Sequence, residues 1–349
     1  SVLVILTVYL STVGIETDKF NNQIKKRISQ INKNIEIDLK KIKLILDPLN
    51  LKIYAKTVGT TVFYSKHSLA LESIKTEVSL SSLIKKKITS SSIEVITRSI
   101  MLNDLIKFIR ATNNKPELFI LEKLIKNGQI ILDLSFNIDD NGKIKNDYEI
   151  DGIIKDANIN FLNKAKFKNL NLNFNLKKDN YSLNGIKFTT EKVNFNSKKL
   201  NIKRNKDIFL IDGTIKNDQS NLNLNILKLL NLNFENIIID NSKFKMENQF
   251  SLEIDKKFKI KNIILNSDIN IDHVKYKKPD VIQNYLSDVD DLILLNNHKL
   301  NLNYKNNNLT VIGEGGIQLI DNQINQIKYL INKKDKDLSI NTELFLKNI

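Results

Sequence analysis

The chain has 349 residues, 41% of them hydrophobic, which is enough for a real core and too apolar for a disordered tail. It contains no Cys, so disulfides, thiolate nucleophiles and thiolate metal sites are all excluded. The net charge of +15 rests almost wholly on lysine, the arginines being Arg27, Arg98, Arg110 and Arg204. Dedicated nucleic-acid recognition favours Arg for bidentate contacts, so no nucleic-acid partner is expected. The lysine excess reads first as genome bias and second as attraction to anionic lipid head groups.

The opening SVLVILTVYLSTVGI runs about fifteen residues without a charge and then gives way to ETDKFNNQIKKRI. A membrane span takes roughly 20 apolar residues. Residues 1–15 therefore read as the outer half of a spanning helix whose upstream part has been removed. A signal-peptide remnant is the rival reading, and no small-residue cleavage site follows. Residues 18–33 continue this helix, with Phe20, Ile24, Ile28 and Ile31 at helical spacing.

From Ile35 the period changes to two, and IEIDLKKIKLIL, LKIYAKTV, TTVFYS and LALESIKTEVSL read as strands. A short helix is expected at 79–86, followed by the strand SIEVITRSI. MLNDLIKFIRA places Leu102, Leu105, Ile106 and Ile109 on one helical face, with Ser99 as the better cap. PELFILEKLIKNG reads as a second helix, from Pro116 to Gly128.

Beyond Gly128 strand follows strand to the C-terminus, with one helix expected at 279–295. Short connections carrying Asp, Asn or Gly, such as DDNG at 139–142, favour antiparallel hairpins. In NLNLNFNL, residues 169–176, the apolar set Leu170, Leu172, Phe174 and Leu176 lines one face of a strand and asparagines line the other. LNLN recurs at 222 and 300, separations of 52 and 78 from the first copy and from the second, which fits a 26-residue hairpin period.

Each such strand has one apolar face that must be buried against something. A sandwich, a closed barrel, or a curved sheet leaving a groove for an apolar ligand would each satisfy that need. The aliphatic lining and the absence of Trp favour the groove, since acyl chains need area and no directional hydrogen bonds.

Catalytic chemistry finds little support. His67, His273 and His298 are scattered, with no metal-binding spacing, and no metal or cofactor is expected. The acid pairs Asp139-Asp140 and Asp290-Asp291 are adjacent rather than opposed across a cleft. GEGG at 313–316 lacks the Gly-Lys-Ser/Thr ending of a phosphate loop and reads as a strand kink or bulge. The aromatics among lysines, such as Phe167, Phe188 and Phe195, read as core or groove lining.

The order of an apolar helix running into KFNNQIKKRI, the strands IEIDLKKIKLIL and LKIYAKTV, and then SLALESIKTEVSLSSLIKKKITSSSIEVI resembles the N-terminal region of AsmA-like proteins. The amphipathic strands after 128 are similar to the body of the same superfamily, which includes TamB and YhdP. The resemblance covers most of the chain as a pattern of hydrophobicity and order, without an invariant catalytic motif. It implies a non-enzymatic, single-pass protein of the bacterial inner membrane, anchored through residues 1–15, with its bulk in the periplasm. Its β-groove would hold phospholipid acyl chains and help move lipid to the outer membrane, meeting a periplasmic or outer-membrane partner.

The expected fold is thus mainly β with a few helices (α+β): a long antiparallel, strongly curved sheet forming an apolar groove, preceded by a membrane helix. The expected divisions are 1–33, a membrane-helix remnant and its continuation; 34–127, an N-terminal α+β region; and 128–349, an extended antiparallel sheet interrupted by the helix 279–295 and cut short at its C-terminus. Groove candidates are Leu170, Leu172, Phe174, Leu176, Leu222, Leu224, Ile226, Ile269, Ile271, Leu300 and Leu302. The alternative is a non-catalytic sandwich or β-solenoid scaffold assisting outer-membrane protein assembly.

Overall fold

The computed structural model describes residues 2–80, 90–113, 115–137, 139, 145–161, 165–229, 236–257, 259–278, 289–320, 323–335 and 337–346. It is mainly β, with twenty-one strands and, among the described residues, five helices. The strand pairings within its two compact units are all antiparallel among the described residues. One unit comprises residues 1–159 and 171–183, the other 160–170 and 184–349.

The first unit begins with α1 (Val2–Thr12), β1 (Ile15–Thr17) and α2 (Asn21–Ile31). The expected continuous helix is two helices, because Gly14 adopts φ +74° and its backbone packs on the Leu44 carbonyl, where a side chain would collide. The eleven residues of α1 span about 17 Å, against the roughly 30 Å of a bilayer's hydrocarbon core. Among the described residues, no helix is long and apolar enough to cross a membrane.

Next come β2 (Ile35–Asp38), β3 (Ile42–Asp47), β4 (Lys52–Val58), β5 (Thr61–Tyr64), β6 (His67–Ser79), β7 (Ser90–Thr97) and β8 (Ile100–Met101). Two helices follow, α3 (Leu102–Thr112) and α4 (Pro116–Leu124), then β9 (Ile125–Asn137) and β10 (Glu149–Phe161). The main ladder runs β1, β3, β4, β6, β7, β9, β10, and β2 joins β6 through β5. Helix α3 buries Leu102, Leu105 and Ile106 as its apolar spacing requires, while Ile109 stays exposed.

Two expectations fail locally. Ser99 hydrogen-bonds Gln129, and α3 begins after Met101 with no side-chain cap. Gly128 ends no helix; it lies within β9 at φ +127°, pressed against Ala157 of β10 where no Cβ fits. The joint expected at 127 and 128 therefore falls inside a strand. Of the helix expected at 79–86, Ser79 ends β6 and 81–86 lie outside the described residues. Of the turn at 139–142, only Asp139 is described.

Strands β11 (Ala165–Lys177) and β12 (Asn180–Thr190) give residues to both units. The second unit continues with β13 (Val193–Asn205), β14 (Ile208–Asn221), α5 (Leu224–Leu229), β15 (Ile237–Ile238), β16 (Lys243–Asp255) and β17 (Ile260–Lys277). It ends with β18 (Leu292–Lys305), β19 (Asn308–Ile320), β20 (Gln323–Lys334) and β21 (Asp337–Phe345). The ladder β13, β14, β16, β17, β18, β19, β20, β21 is a meander, with β15 paired to the end of β17. Among the described residues β21 pairs with β20 alone, so this ladder is open rather than closed.

Two more corrections belong here. NLNLNIL at 221–227 is not a strand: β14 stops at Asn221 and α5 follows. The Asn223 side chain accepts the Ile226 N–H at 3.0 Å, the hydrogen bond of a helix N-cap. With the middle LNLN copy outside the sheet, the 26-residue period has no structural counterpart. Of the helix expected at 279–295, residues 279–288 lie outside the described residues and Leu292, Ile293, Leu294 and Leu295 open β18.

Candidate functional site

Side chains directly opposite each other across a ladder share a face, so the registers of β16 to β21 sort the second unit into an apolar and a polar side. One apolar row reads Met246, Ile269, Leu300, Gly313, Tyr329, Thr342. The next reads Asn248, Ser267, Leu302, Val311, Ile331, Ile340, and a third Phe250, Leu265, Tyr304, Leu309, Lys333, Leu338.

The polar side carries the asparagines, which explains their place in the repeating pattern. Asn301 Nδ2 donates to Asp268 at 2.8 Å, Thr310 Oγ1 to Asn332 at 3.0 Å, and Asn303 to Asn266 across the strands. Charges also alternate from strand to strand along Lys299, Glu314, Lys328 and Glu343, with Glu314 and Lys328 paired at 3.9 Å. Exposed Ile312 and half-buried Leu330 are apolar exceptions on this side.

Among the described residues, the apolar side is covered at one end only. Val193, Phe195, Leu222, Ile226, Phe244 and Val274 form a buried cluster, with Phe188, Ile215, Ile237, Ile239, Met246 and Ile271 packed against it. Here α5 packs over β13, β16 and β17, and β15, paired beside the end of β17, adds Ile237 to the cluster. Asn217, fully buried, spans the irregularity between β14 and β16: Oδ1 accepts the Met246 N–H at 2.8 Å and Nδ2 donates to the Phe244 carbonyl at 3.3 Å. Ser242, also fully buried, donates to Asp272, whose Oδ1 accepts the N–H groups of Lys243 at 2.6 Å and His273 at 2.7 Å. Burial would raise Asp272, but these hydrogen bonds outweigh it and hold the carboxyl below its ordinary range.

Away from α5 the apolar side has no second layer among the described residues. Ile269, Leu300, Leu302, Val311 and Ile331 are half-buried, and Leu338 and Ile340 are 61% and 57% exposed. The four candidates Ile269, Ile271, Leu300 and Leu302 thus do fall on one face. Leu222 and Ile226 belong to the covering layer, and Leu224 points outward at 46% exposure. Leu172 and Phe174 are buried in β11, where the Phe174 ring fills the space left by Gly152 of β10; Leu170 and Leu176 are half-buried.

Between the covered and open parts stands a polar pair that sequence reasoning missed. His298 is 4% exposed; its Nε2 donates to the Gly316 carbonyl at 3.0 Å, and Nδ1 faces the Tyr329 hydroxyl at 3.2 Å, which fixes the neutral Nε2–H tautomer with Tyr329 donating. The rings stack with centroids 5.9 Å apart. GEGG makes this possible, since Tyr329 lies over Gly313 and His298 over Gly315, where side chains would collide. A bulge is present, as expected, at the irregularity between Asn296/Gly316 and Lys299/Glu314. Burial lowers the His298 pKa against a smaller opposing effect of the Gly316 hydrogen bond, and burial pushes Tyr329 up to about 12. The only sequence signal was glycines placed inside a strand.

No group of three His, Asp or Glu side chains able to hold a metal occurs among the described residues. The arrangement offers area and dispersion on one side and a hydrogen-bonded polar lattice on the other. No family model, curated protein or solved structure matches the chain.

Proposed function

We propose that the open apolar side of β17 to β21 binds the acyl chains of phospholipid, and that the protein helps move lipid between the inner and outer membranes of a bacterial envelope without catalysing a reaction. The observation that carries this reading is the row Leu302, Val311, Ile331 and Ile340: four aliphatic side chains in register across four strands, half-buried to exposed, with no second layer over them among the described residues. Such a surface gains about 0.8 kcal/mol for each acyl CH₂ it removes from water. The exposed side chains Val2, Val4, Ile5 and Val8 of α1 give the end that anchors in the inner membrane.

The test is native mass spectrometry with lipid extraction on protein purified without detergent, comparing the parent chain with Leu302→Lys. Phospholipid at one or more molecules per chain, lost in the variant while far-ultraviolet circular dichroism is unchanged, supports the reading. A lipid-free, stable monomer overturns it in favour of a scaffold whose apolar side serves another purpose.

A further inference from the structure

We infer that the turn joining β3 to β4 is a second membrane contact of the first unit, its Leu49 and Leu51 entering the bilayer surface beside α1. This rests on the anchoring of α1 and names another part of the chain that touches the same lipid. Leu49 is 92% exposed and Leu51 63%, two residues apart on one short turn. Among the described residues no large hydrophobic side chain is more exposed than Leu49. Single exposed leucines are ordinary on protein surfaces. The way these two are held is not.

Asp47 faces Lys52 across the ladder, which leaves Pro48, Leu49, Asn50 and Leu51 to make the turn. The Asp47 carboxylate fixes it, Oδ1 accepting the Asn50 N–H at 3.1 Å and Oδ2 accepting from Asn50 Nδ2 at 2.9 Å. The Leu51 carbonyl accepts the Leu80 N–H at 2.9 Å. Leu51 has φ +50°, a left-handed conformation that suits glycine or asparagine and is rare for a bulky apolar residue. A turn shaped by stability alone would carry glycine there. Backbone strain is accepted instead, for a side chain that the fold leaves in water. An apolar medium outside the protein is what rewards leucine at such a place.

The ladder sets this turn beside α1. Followed backwards from Thr17 to Ile15, β1 runs along β3 from Ile42 to Leu44, toward Asp47, and Gly14 lies against Leu44 and Ile45. Helix α1 therefore joins the sheet at the end that the turn closes, and it packs against β3. Its eleven residues are about 17 Å long, so a membrane that takes up exposed Val4, Ile5 and Val8 lies within reach of the two leucines. A bilayer surface also receives a protruding turn without a complementary pocket.

Because the chain lacks Cys, Leu49→Cys, Val4→Cys and Lys66→Cys each supply a single thiol in the full chain for a polarity-sensitive fluorophore. Lys66 is the control: it is exposed at the far end of thirteen-residue β6, about 40 Å along that strand from the end beside the turn. Each labelled protein is mixed with vesicles of phosphatidylethanolamine and phosphatidylglycerol, with and without a spin label on the acyl chains. The label at position 49 is expected to shift to the blue and to be quenched by the spin label, and the label at 66 to do neither. An unshifted label at 49 overturns the inference; a quenched label at position 4 then leaves the anchor standing, and an unshifted one removes both. A blue shift that needs no vesicles and grows with protein concentration also overturns it, since the leucines would then meet another protein chain. Unlabelled Leu49→Ser combined with Leu51→Gly is expected to bind the vesicles about tenfold less tightly. It should melt close to the parental temperature, because glycine suits the φ of +50° at position 51. Unchanged vesicle affinity overturns the inference, and so does a melting temperature many degrees lower, which would show that the leucines serve the fold.

Discussion

Replacing Phe244 and Leu302 by alanine, one at a time, separates the covered part of the apolar side from the open part. Phe244 is 3% exposed in the cluster beneath α5, and truncating a ring in such a place costs about 3–5 kcal/mol, counting the cavity left behind. Leu302 is half-buried among Ser267 and Val311 with no layer above it among the described residues, so its truncation is expected to form no cavity. Only part of the transfer free energy is lost there, about 1 kcal/mol. The assay is hydrogen exchange of β16 and β18 amides under increasing urea, without detergent, which reports the second unit separately from the first. With phospholipid bound, the cost of Leu302→Ala should rise, because lipid then completes its burial. A lipid-free cost for Leu302→Ala of about 3 kcal/mol or more would mean that a second protein layer covers this face, and the reasoning that led to a lipid surface would fail.

His298 should make stability depend on pH with a definite sign. Its folded pKa lies below the ordinary 6.5, so as pH falls through 6.5 the unfolded chain takes up a proton that the folded chain resists, and stability declines until the lowered folded pKa is reached. His298→Gln should flatten that part of a urea midpoint-against-pH curve; an unchanged slope would assign it to other groups. Gly313→Val drives a side chain into the Tyr329 ring and should cost about 1–3 kcal/mol by thermal melting, whereas Gly185→Ala, with open space around it but φ +61°, should cost only local backbone strain. Asp272→Ala removes the acceptor for the Lys243 and His273 N–H groups and should lower stability by about 1–2 kcal/mol. Parental exchange protection at these amides in the variant would refute the role given to the carboxylate.

The strands after residue 128 were legible because strict alternation leaves a sheet as the one regular structure that segregates Leu from Asn. The same alternation misled at 221–227, where Leu222 and Ile226 also stand four apart, and tertiary cover together with the Asn223 cap decided for a helix. Gly128 was misread for a related reason, and Gly14 was passed over within an expected continuous helix: composition marks a break in regular structure at most, and only the neighbouring Leu44 carbonyl and Ala157 show why glycine is required. Four of the eleven groove candidates, Ile269, Ile271, Leu300 and Leu302, share the apolar side, with Ile271 in its covered part. The residues that complete it, Val311, Ile331 and Ile340, stood in recognised strands, yet which side chains meet across strands depends on register, and register is not written in any single strand. The pair of His298 and Tyr329 was hidden likewise, its members lying 31 residues apart.

The rings seated on GEGG bear on how the chain finds its alignment. Strands built from repeated Leu and Asn can slide past one another by two residues and still bring leucine beside leucine and amide beside amide, so many misaligned sheets would be nearly as stable as the native one. If β20 slid by two residues along β19, Tyr329 would meet Val311, or share Gly315 with His298. Only one alignment seats both rings on glycine. In a monotonous sequence these few positions act as the notch of a key, and their loss should slow folding through trapped, mis-threaded sheets more than it destabilises the finished one.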